Sequence, residues 1–202
     1  MVKKAELAKK LYEEGIILFG KFKLTSGIES PYYIDLRKAL SKPHLLREII
    51  EAYKNAVEKI PEVDVIVGIE TGSIPWAAIL AYILNKPLAY VRKKPKEHGA
   101  MKLIEGEISE GKNAIVVDDV STTGGSLLRA TRILRENSVK TEYAVVFVDR
   151  EQGAKRNLEK ENVKLISIFT VTELLKYIRS LGFISETKYR EIIDYVRGFN
   201  HV

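Results

Sequence analysis

The segment Ala114-Ile115-Val116-Val117-Asp118-Asp119-Val120-Ser121-Thr122-Thr123-Gly124-Gly125-Ser126 sets three kinds of residue in a fixed order. An apolar run, Ala114 to Val117, reads as a buried strand that stops at two adjacent acids. Small hydroxyl residues and glycines follow, and then a helical pattern made by Leu127, Leu128, Ala130, Thr131, Ile133 and Leu134. A strand that turns tightly into a helix leaves the first amides of the helix unpaired, and such amides bind anions, phosphate above all. Asp118 and Asp119 stand at the carboxyl end of the strand, where open α/β sheets bind ligands. The pairing of a phosphate cradle with two acids suits a ligand that carries both a phosphate and hydroxyls, a sugar phosphate being the simplest. The plainer alternative is a strand-to-helix turn capped by Ser121 or Thr122, with the acids favouring the helix dipole.

On either side of this segment strands and helices alternate. Residues 4–14 read as an amphipathic helix, and residues 16–40 mix short β-like runs with turn residues. A long helix follows Pro43 and ends at Pro61. Strands are expected at 63–68, 88–91, 114–117, 141–148 and 163–168. Helices are expected at 74–84, 126–136, 152–160, 171–180 and 186–197. Continuous apolar strands alternating with helices predict an α/β fold with a mostly parallel central sheet flanked by helices. A chain of 202 residues with no linker or repeat reads as a single domain over 1–202, long enough to bury a core.

The chain has no cysteine, which excludes disulfides, zinc-thiolate sites and a thiol nucleophile. Its start lacks the apolar core of a signal peptide, and the longest apolar stretch, Ile74 to Leu84, contains Pro75 and is too short to span a bilayer. A cytoplasmic protein that binds no membrane is expected. The net charge of +6 leaves nucleic acid or an anionic small ligand open as partners, but most basic residues are interleaved with acids, as on a solvated helix face. The exception is Arg92-Lys93-Lys94-Pro95-Lys96, which opens a polar, aperiodic segment ending at Gly111. Basic groups, His98 and Gly99 give this segment the ingredients of a lid. Gly106-Glu107-Ile108-Ser109-Glu110-Gly111-Lys112-Asn113 imitates a P-loop, but it ends in Asn and precedes a strand, so it is read as a turn with an exposed lysine.

Together these residues resemble the type I phosphoribosyltransferases, whose binding loop for phosphoribosyl pyrophosphate is similar to Asp118-Asp119 followed by Ser121 to Ser126. Two further segments resemble the orotate members of that family. Leu24-Thr25-Ser26-Gly27-Ile28-Glu29-Ser30-Pro31-Tyr32-Tyr33 is similar to their base-binding segment, and Tyr90 to Gly99 is similar to their mobile catalytic loop. Gly68-Ile69-Glu70-Thr71-Gly72-Ser73-Ile74-Pro75 resembles the pyrophosphate loop, and Asp149-Arg150 matches a position that meets the base. The resemblance runs from about Gly20 to Arg150. Thr25 and Gly72 stand where some members carry lysine, which leaves fewer fixed cations for pyrophosphate.

The resemblance implies the type I phosphoribosyltransferase fold, with a small N-terminal hood within 1–40 and a mobile catalytic loop over 92–111. It also implies transfer of the 5-phosphoribosyl group to N1 of orotate, giving orotidine 5′-phosphate and pyrophosphate. Arg92, Lys93, Lys96, His98 and Asp119 would be catalytic. Phosphoribosyl pyrophosphate would be bound by those five residues with Asp118, Val120, Ser121, Thr122, Thr123, Gly124, Gly125, Ser126, Glu70, Thr71 and Gly72. Orotate would meet Thr122, Arg150, Ser26, Tyr32 and Tyr33, one tyrosine facing the site and the other the core. Arg150 would grip the orotate carboxylate; its plainer reading is a surface arginine paired with Glu151. Mg²⁺ would be held mainly by the substrate. A homodimer is implied, with loop 92–111 acting in the neighbouring active site. The alternatives are a purine phosphoribosyltransferase and a non-catalytic RNA-binding regulator of the same fold. His44 and His201 have no such context and are read as surface residues.

Overall fold

The computed structural model describes residues 3–23, 29–95 and 102–199. Its elements are α1 (Lys4–Glu13), β1 (Ile17–Lys23), β2 (Glu29–Ile34), a 3-10 helix (Leu36–Ser41), α2 (Pro43–Val57), β3 (Val65–Ile69), α3 (Ile74–Leu84), β4 (Leu88–Val91), β5 (Ile104–Glu105), β6 (Asn113–Ser121), α4 (Gly125–Glu136), β7 (Lys140–Asp149), α5 (Ala154–Glu159), β8 (Lys164–Thr170), α6 (Val171–Ser180) and α7 (Glu186–Arg197).

The main sheet has the order β5-β4-β3-β6-β7-β8. Every pairing in it is parallel except β4 with β5. Successive residues of a strand point to opposite faces, and here both faces are apolar. Ile66, Ile115, Val117, Val145 and Phe147 pack with α2, α3 and α6 in one core cluster. Val65, Val67, Ala114, Val116, Ala144 and Val146 pack with α4 and α5 in the other. The chain leaves β3 towards β4 on one side and later leaves β6 towards β7 on the other, so the strand order reverses between β3 and β6. Ligands of open α/β sheets bind in the crevice at such a reversal, beyond the carboxyl ends of the strands.

The N-terminal strands form a separate antiparallel pair, with Ile17 opposite Ile34 and Phe19 opposite Tyr32. Tyr32 and Ile34 enter the same core cluster as Leu7 and Leu11 of α1 and Ile192 and Val196 of α7. Tyr32 meets Tyr195 of α7 edge-on and Ser30 meets Arg150 just past the end of β7, which places the N-terminal pair and α7 at the carboxyl end of the main sheet.

Two expectations are corrected. The central strand does not stop at the acids: Asp118, Val120 and Ser121 pair with Val146, Val148 and Asp149 of β7. Ladder hydrogen bonds from a long neighbouring strand carry β6 through a polar stretch that its composition would have ended. The segment 92–111 also contains a strand, since Tyr90 pairs with Glu105 and Val91 with Ile104, and the Arg92 amide donates to the Leu103 carbonyl at 2.8 Å. Leu103, Ile104 and Ile108 pack against the second core cluster, so this end of the segment belongs to the sheet edge. The P-loop look-alike is the turn it was read as: Gly111 has φ +76° and Lys112 reaches Asp64 at 3.4 Å.

Candidate active site

The loop after β3 and the end of β6 meet across the reversal point. A Cβ built at Gly72 would lie 3.3 Å from Asp119 Oδ2. Behind them Ser73 is buried, its hydroxyl donating to the Ile69 carbonyl at 3.0 Å, which fixes the start of α3.

Asp118 and Asp119 lie in the last turns of β6 with their main chain anchored. Tyr53, buried beneath them on α2, donates its hydroxyl to the Asp118 carbonyl at 2.7 Å. Asp118 Oδ1 accepts from the Asp119 amide at 3.0 Å, and Asp119 Oδ1 accepts from the Val120 amide at 2.7 Å. Burial pushes the Asp118 carboxyl up to about 8, with the neighbouring Asp119 charge adding to the rise and Lys93 opposing it. Burial also raises Asp119, against the Val120 amide and the charge of Arg37. Two carboxyls held in this way are short of positive charge and of donors, and a ligand with hydroxyls supplies donors.

Beyond Ser121 the chain forms a cup of about 220 Å³ lined by Asp118 and residues 120–127. Gly124, at φ +81°, precedes α4, and no side chain caps the helix. Neither Ser121 nor Thr122 is therefore the helix cap considered from the sequence. Ser121 is in the strand, and its buried hydroxyl has no hydrogen-bond partner among the described residues. A Cβ at Gly124 would come within 3.3 Å of Ala154 Cα, so α5 closes one wall of the cup. Asn157 of α5 donates to the Thr123 carbonyl at 3.0 Å and holds the loop. The free amides of the first turn of α4 give the cup the positive end of the helix dipole.

Arg150 is not the surface residue of the plainer reading; it is 4% exposed. Its amide donates to the Ser121 carbonyl at 2.9 Å, its Nη2 donates to Ser30 Oγ at 3.0 Å, and its guanidinium lies 4.4 Å above the Tyr32 ring. Its Nε is buried with no hydrogen-bond partner among the described residues. A buried cation with donors to spare fits an anionic, planar ligand. Tyr32 itself is 0% exposed and supports Arg150 from the core. Tyr33 points the other way, against Phe22 and Arg37. Ser26 and Thr25 lie outside the described residues.

The basic segment starts beside the acids. Lys93 donates its amide to Glu70 Oε2 at 2.7 Å, which joins it to the loop after β3, and its charge reaches Asp118. The Arg92 guanidinium is paired with Glu105 at 3.3 Å. Lys94 is exposed. Lys96 and His98 lie outside the described residues. His44 is on the surface beside Glu14, and His201 is outside the described residues. The structure thus brings together Glu70, Gly72, Lys93, residues 118–126 and Arg150.

Two cations at the site escaped the reading of the sequence. Arg37, paired with Asp35 at 2.7 Å, bears on Asp119 and opposes the rise of its carboxyl. Arg129, on α4, donates to the carbonyls of Arg92 and Lys93. Both stand in stretches where charge looks like ordinary solvated surface, and only the fold aims them.

The phosphoribosyl transferase domain model matches residues 37–175. An orotate phosphoribosyltransferase of Methanocaldococcus jannaschii is 47% identical over 175 residues, covering 86% of this chain and 98% of the relative. One of Pyrobaculum islandicum is 43% identical over 191 residues, covering 94% and 97%. Among solved structures, an orotate phosphoribosyltransferase from Aeropyrum pernix superposes with a TM-score of 0.79 at 36% identity, covering 89% of this chain and 99% of that one.

Proposed function

The chain belongs to the phosphoribosyl transferase family, and from that membership we propose that it transfers the 5-phosphoribosyl group of phosphoribosyl pyrophosphate to N1 of orotate. The products are orotidine 5′-phosphate and pyrophosphate, and the reaction is a step of pyrimidine nucleotide biosynthesis. The α/β fold is that of the type I phosphoribosyltransferases. The observation that carries the choice of base is the buried, donor-rich Arg150 above Tyr32. A charged planar base requires such a partner, and an uncharged purine does not.

In this reading the amides and hydroxyls of Thr122 to Ser126 hold the 5′-phosphate, and Asp118 and Asp119 accept hydrogen bonds from the ribose hydroxyls. Glu70 to Gly72 face the pyrophosphate. Breaking the C1–O bond leaves positive charge on the ribose and negative charge on the leaving group, as in other glycosyl transfers. Asp119 steadies the cationic ring, while Arg92, Lys93, Lys96 and His98 stabilise the departing pyrophosphate. Arg150 and Thr122 orient orotate, with Ser26 and Tyr33 beside it and Tyr32 supporting Arg150 from the core.

Among the described residues no group of three His, Cys, Asp or Glu side chains is arranged to hold a metal ion, whereas the paired carboxyls of Asp118 and Asp119 suit the hydroxyls of a substrate that brings its own ion. Mg²⁺ carried by the substrate adds positive charge at the pyrophosphate.

The homodimer and the cytoplasmic location are part of the same proposal. Tyr82 is 87% exposed on α3, and Ile83 and Leu88 are exposed as well, apolar surface suited to a second copy. In that dimer the part of loop 92–111 between Lys93 and Leu103 acts in the neighbouring active site. No helix among the described residues is long and apolar enough to cross a membrane.

Purified protein with Mg²⁺, phosphoribosyl pyrophosphate and a panel of bases tests the proposal. Orotidine 5′-phosphate from orotate, with no nucleotide from adenine, guanine or hypoxanthine, is the expected result. Nucleotide formation from a purine alone overturns it.

A further inference from the structure

The strand ladder of β4 ends at Arg92, whose amide makes the last hydrogen bond, to the Leu103 carbonyl at 2.8 Å. Beyond that bond the main chain still carries polar groups that need partners. Side chains from two other elements supply them. Arg129 donates from Nη1 to the Arg92 carbonyl at 2.8 Å and from Nη2 to the Lys93 carbonyl at 2.9 Å. Glu70 Oε2 accepts from the Lys93 amide at 2.7 Å. Three consecutive main-chain groups at the root of the basic segment are therefore held by charged side chains. One of these comes from the loop that follows β3 and the other from the helix that follows the phosphate cup.

We infer that Arg129 and Glu70 form a clamp that sets the position of Arg92 and Lys93 for the reaction, which makes Arg129 a positioning residue rather than a surface charge. The inference rests on the proposed phosphoribosyl transfer. A planar guanidinium spans two successive carbonyls with a fixed fork, and a lysine ammonium has no such fork. The clamp also links the two loops that cradle opposite ends of a phosphoribosyl pyrophosphate, so occupancy of either loop bears on the same Lys93. Misplacement of a charge-stabilising group by about 1 Å costs up to about a hundredfold in rate. The clamp's atoms are partly open to solvent, so its contribution to global stability is small.

The test compares the intact protein with Arg129→Ala, Arg129→Lys and Glu70→Gln. Amide hydrogen exchange is read over residues 92–95 of the ligand-free protein, and steady-state kinetics are measured with whichever base the unaltered protein accepts. Arg129→Ala should raise exchange at the Lys93 amide about tenfold, because local opening no longer breaks the two carbonyl bonds. It should lower kcat tenfold or more with the KM for the base within about twofold. Added guanidinium ion should recover part of the lost kcat, a recovery that a merely structural role would not give. Arg129→Lys and Glu70→Gln should fall between. Unchanged exchange in Arg129→Ala shows that no clamp exists. Raised exchange with unchanged kcat shows that the clamp positions nothing that matters to the reaction. Either result overturns the inference. Activity with a purine instead of orotate would sink the choice of base and leave the clamp to be judged by these same readouts.

Discussion

A Cβ added to Gly72 would stand 3.3 Å from Asp119 Oδ2, so the loop after β3 touches the acid at the end of β6. Some relatives of this family, by the resemblance noted above, place a lysine ammonium where this chain has bare backbone. The positive charge that bears on Asp119 here is that of Arg37. A methyl group at position 72 asks Asp119 to give by only a few tenths of an ångström.

Gly72→Ala should therefore change the KM for phosphoribosyl pyrophosphate by less than about threefold, whereas Gly72→Asp should raise it about tenfold or more. A further carboxylate facing pyrophosphate is a like-charge contact, and tenfold corresponds to about 1.4 kcal/mol. Equal effects from the two substitutions would show that shape, and not charge, governs this loop.

Arg150→Lys keeps a positive charge but loses the planar fork that reaches Ser30 and stacks on Tyr32. Its KM for orotate should rise about tenfold or more, with that for phosphoribosyl pyrophosphate within about twofold. Kinetics with each substrate varied in turn give both numbers. A parallel rise in both would remove the assignment of Arg150 to the base.

The raised carboxyl of Asp118 predicts a pH dependence of stability. Its folded value of about 8 lies above its ordinary value of 3.8, so the folded state holds the proton more tightly than the unfolded chain. The associated stability is present in full below about pH 4 and is lost as pH rises towards 8. Asp119 is raised in the same direction, so the pair titrates together. Denaturant midpoints of the ligand-free protein measured from pH 4 to 8 should fall, and Asp118→Asn should flatten the fall. Identical slopes in the two proteins would contradict the burial argument.

Lys96→Ala, on the basic loop, should lower kcat by about a hundredfold or more with only a modest change in either KM. Stopped-flow measurement of a single turnover separates the chemical step from product release. A raised KM at unchanged kcat would make Lys96 a binding group alone.

Much of the fold was legible because its strands are buried on both faces and so carry unbroken apolar runs such as Val65 to Ile69. The end of β6 was not. Asp118 and Asp119 look like a strand terminus, yet β7 carries ten residues and extends the ladder to Ser121. The two residues of β5 show no periodicity that sequence could reveal. The phosphate cup and Arg150 were legible as residue types in order. The burial of Arg150, with Tyr32 beneath it, was not, because it depends on a strand 120 positions away. Arg129 has the spacing of a solvated helix-face residue, and its role follows only from where α4 passes the end of β4.

A crystal structure of the protein with phosphoribosyl pyrophosphate tests the central claim most directly. The 5′-phosphate should lie in the cup formed by residues 122–126, with the ribose hydroxyls on Asp118 and Asp119 and the pyrophosphate facing Glu70 to Gly72. Density for the ligand elsewhere, with this cup unfilled at saturating concentration, would contradict the account.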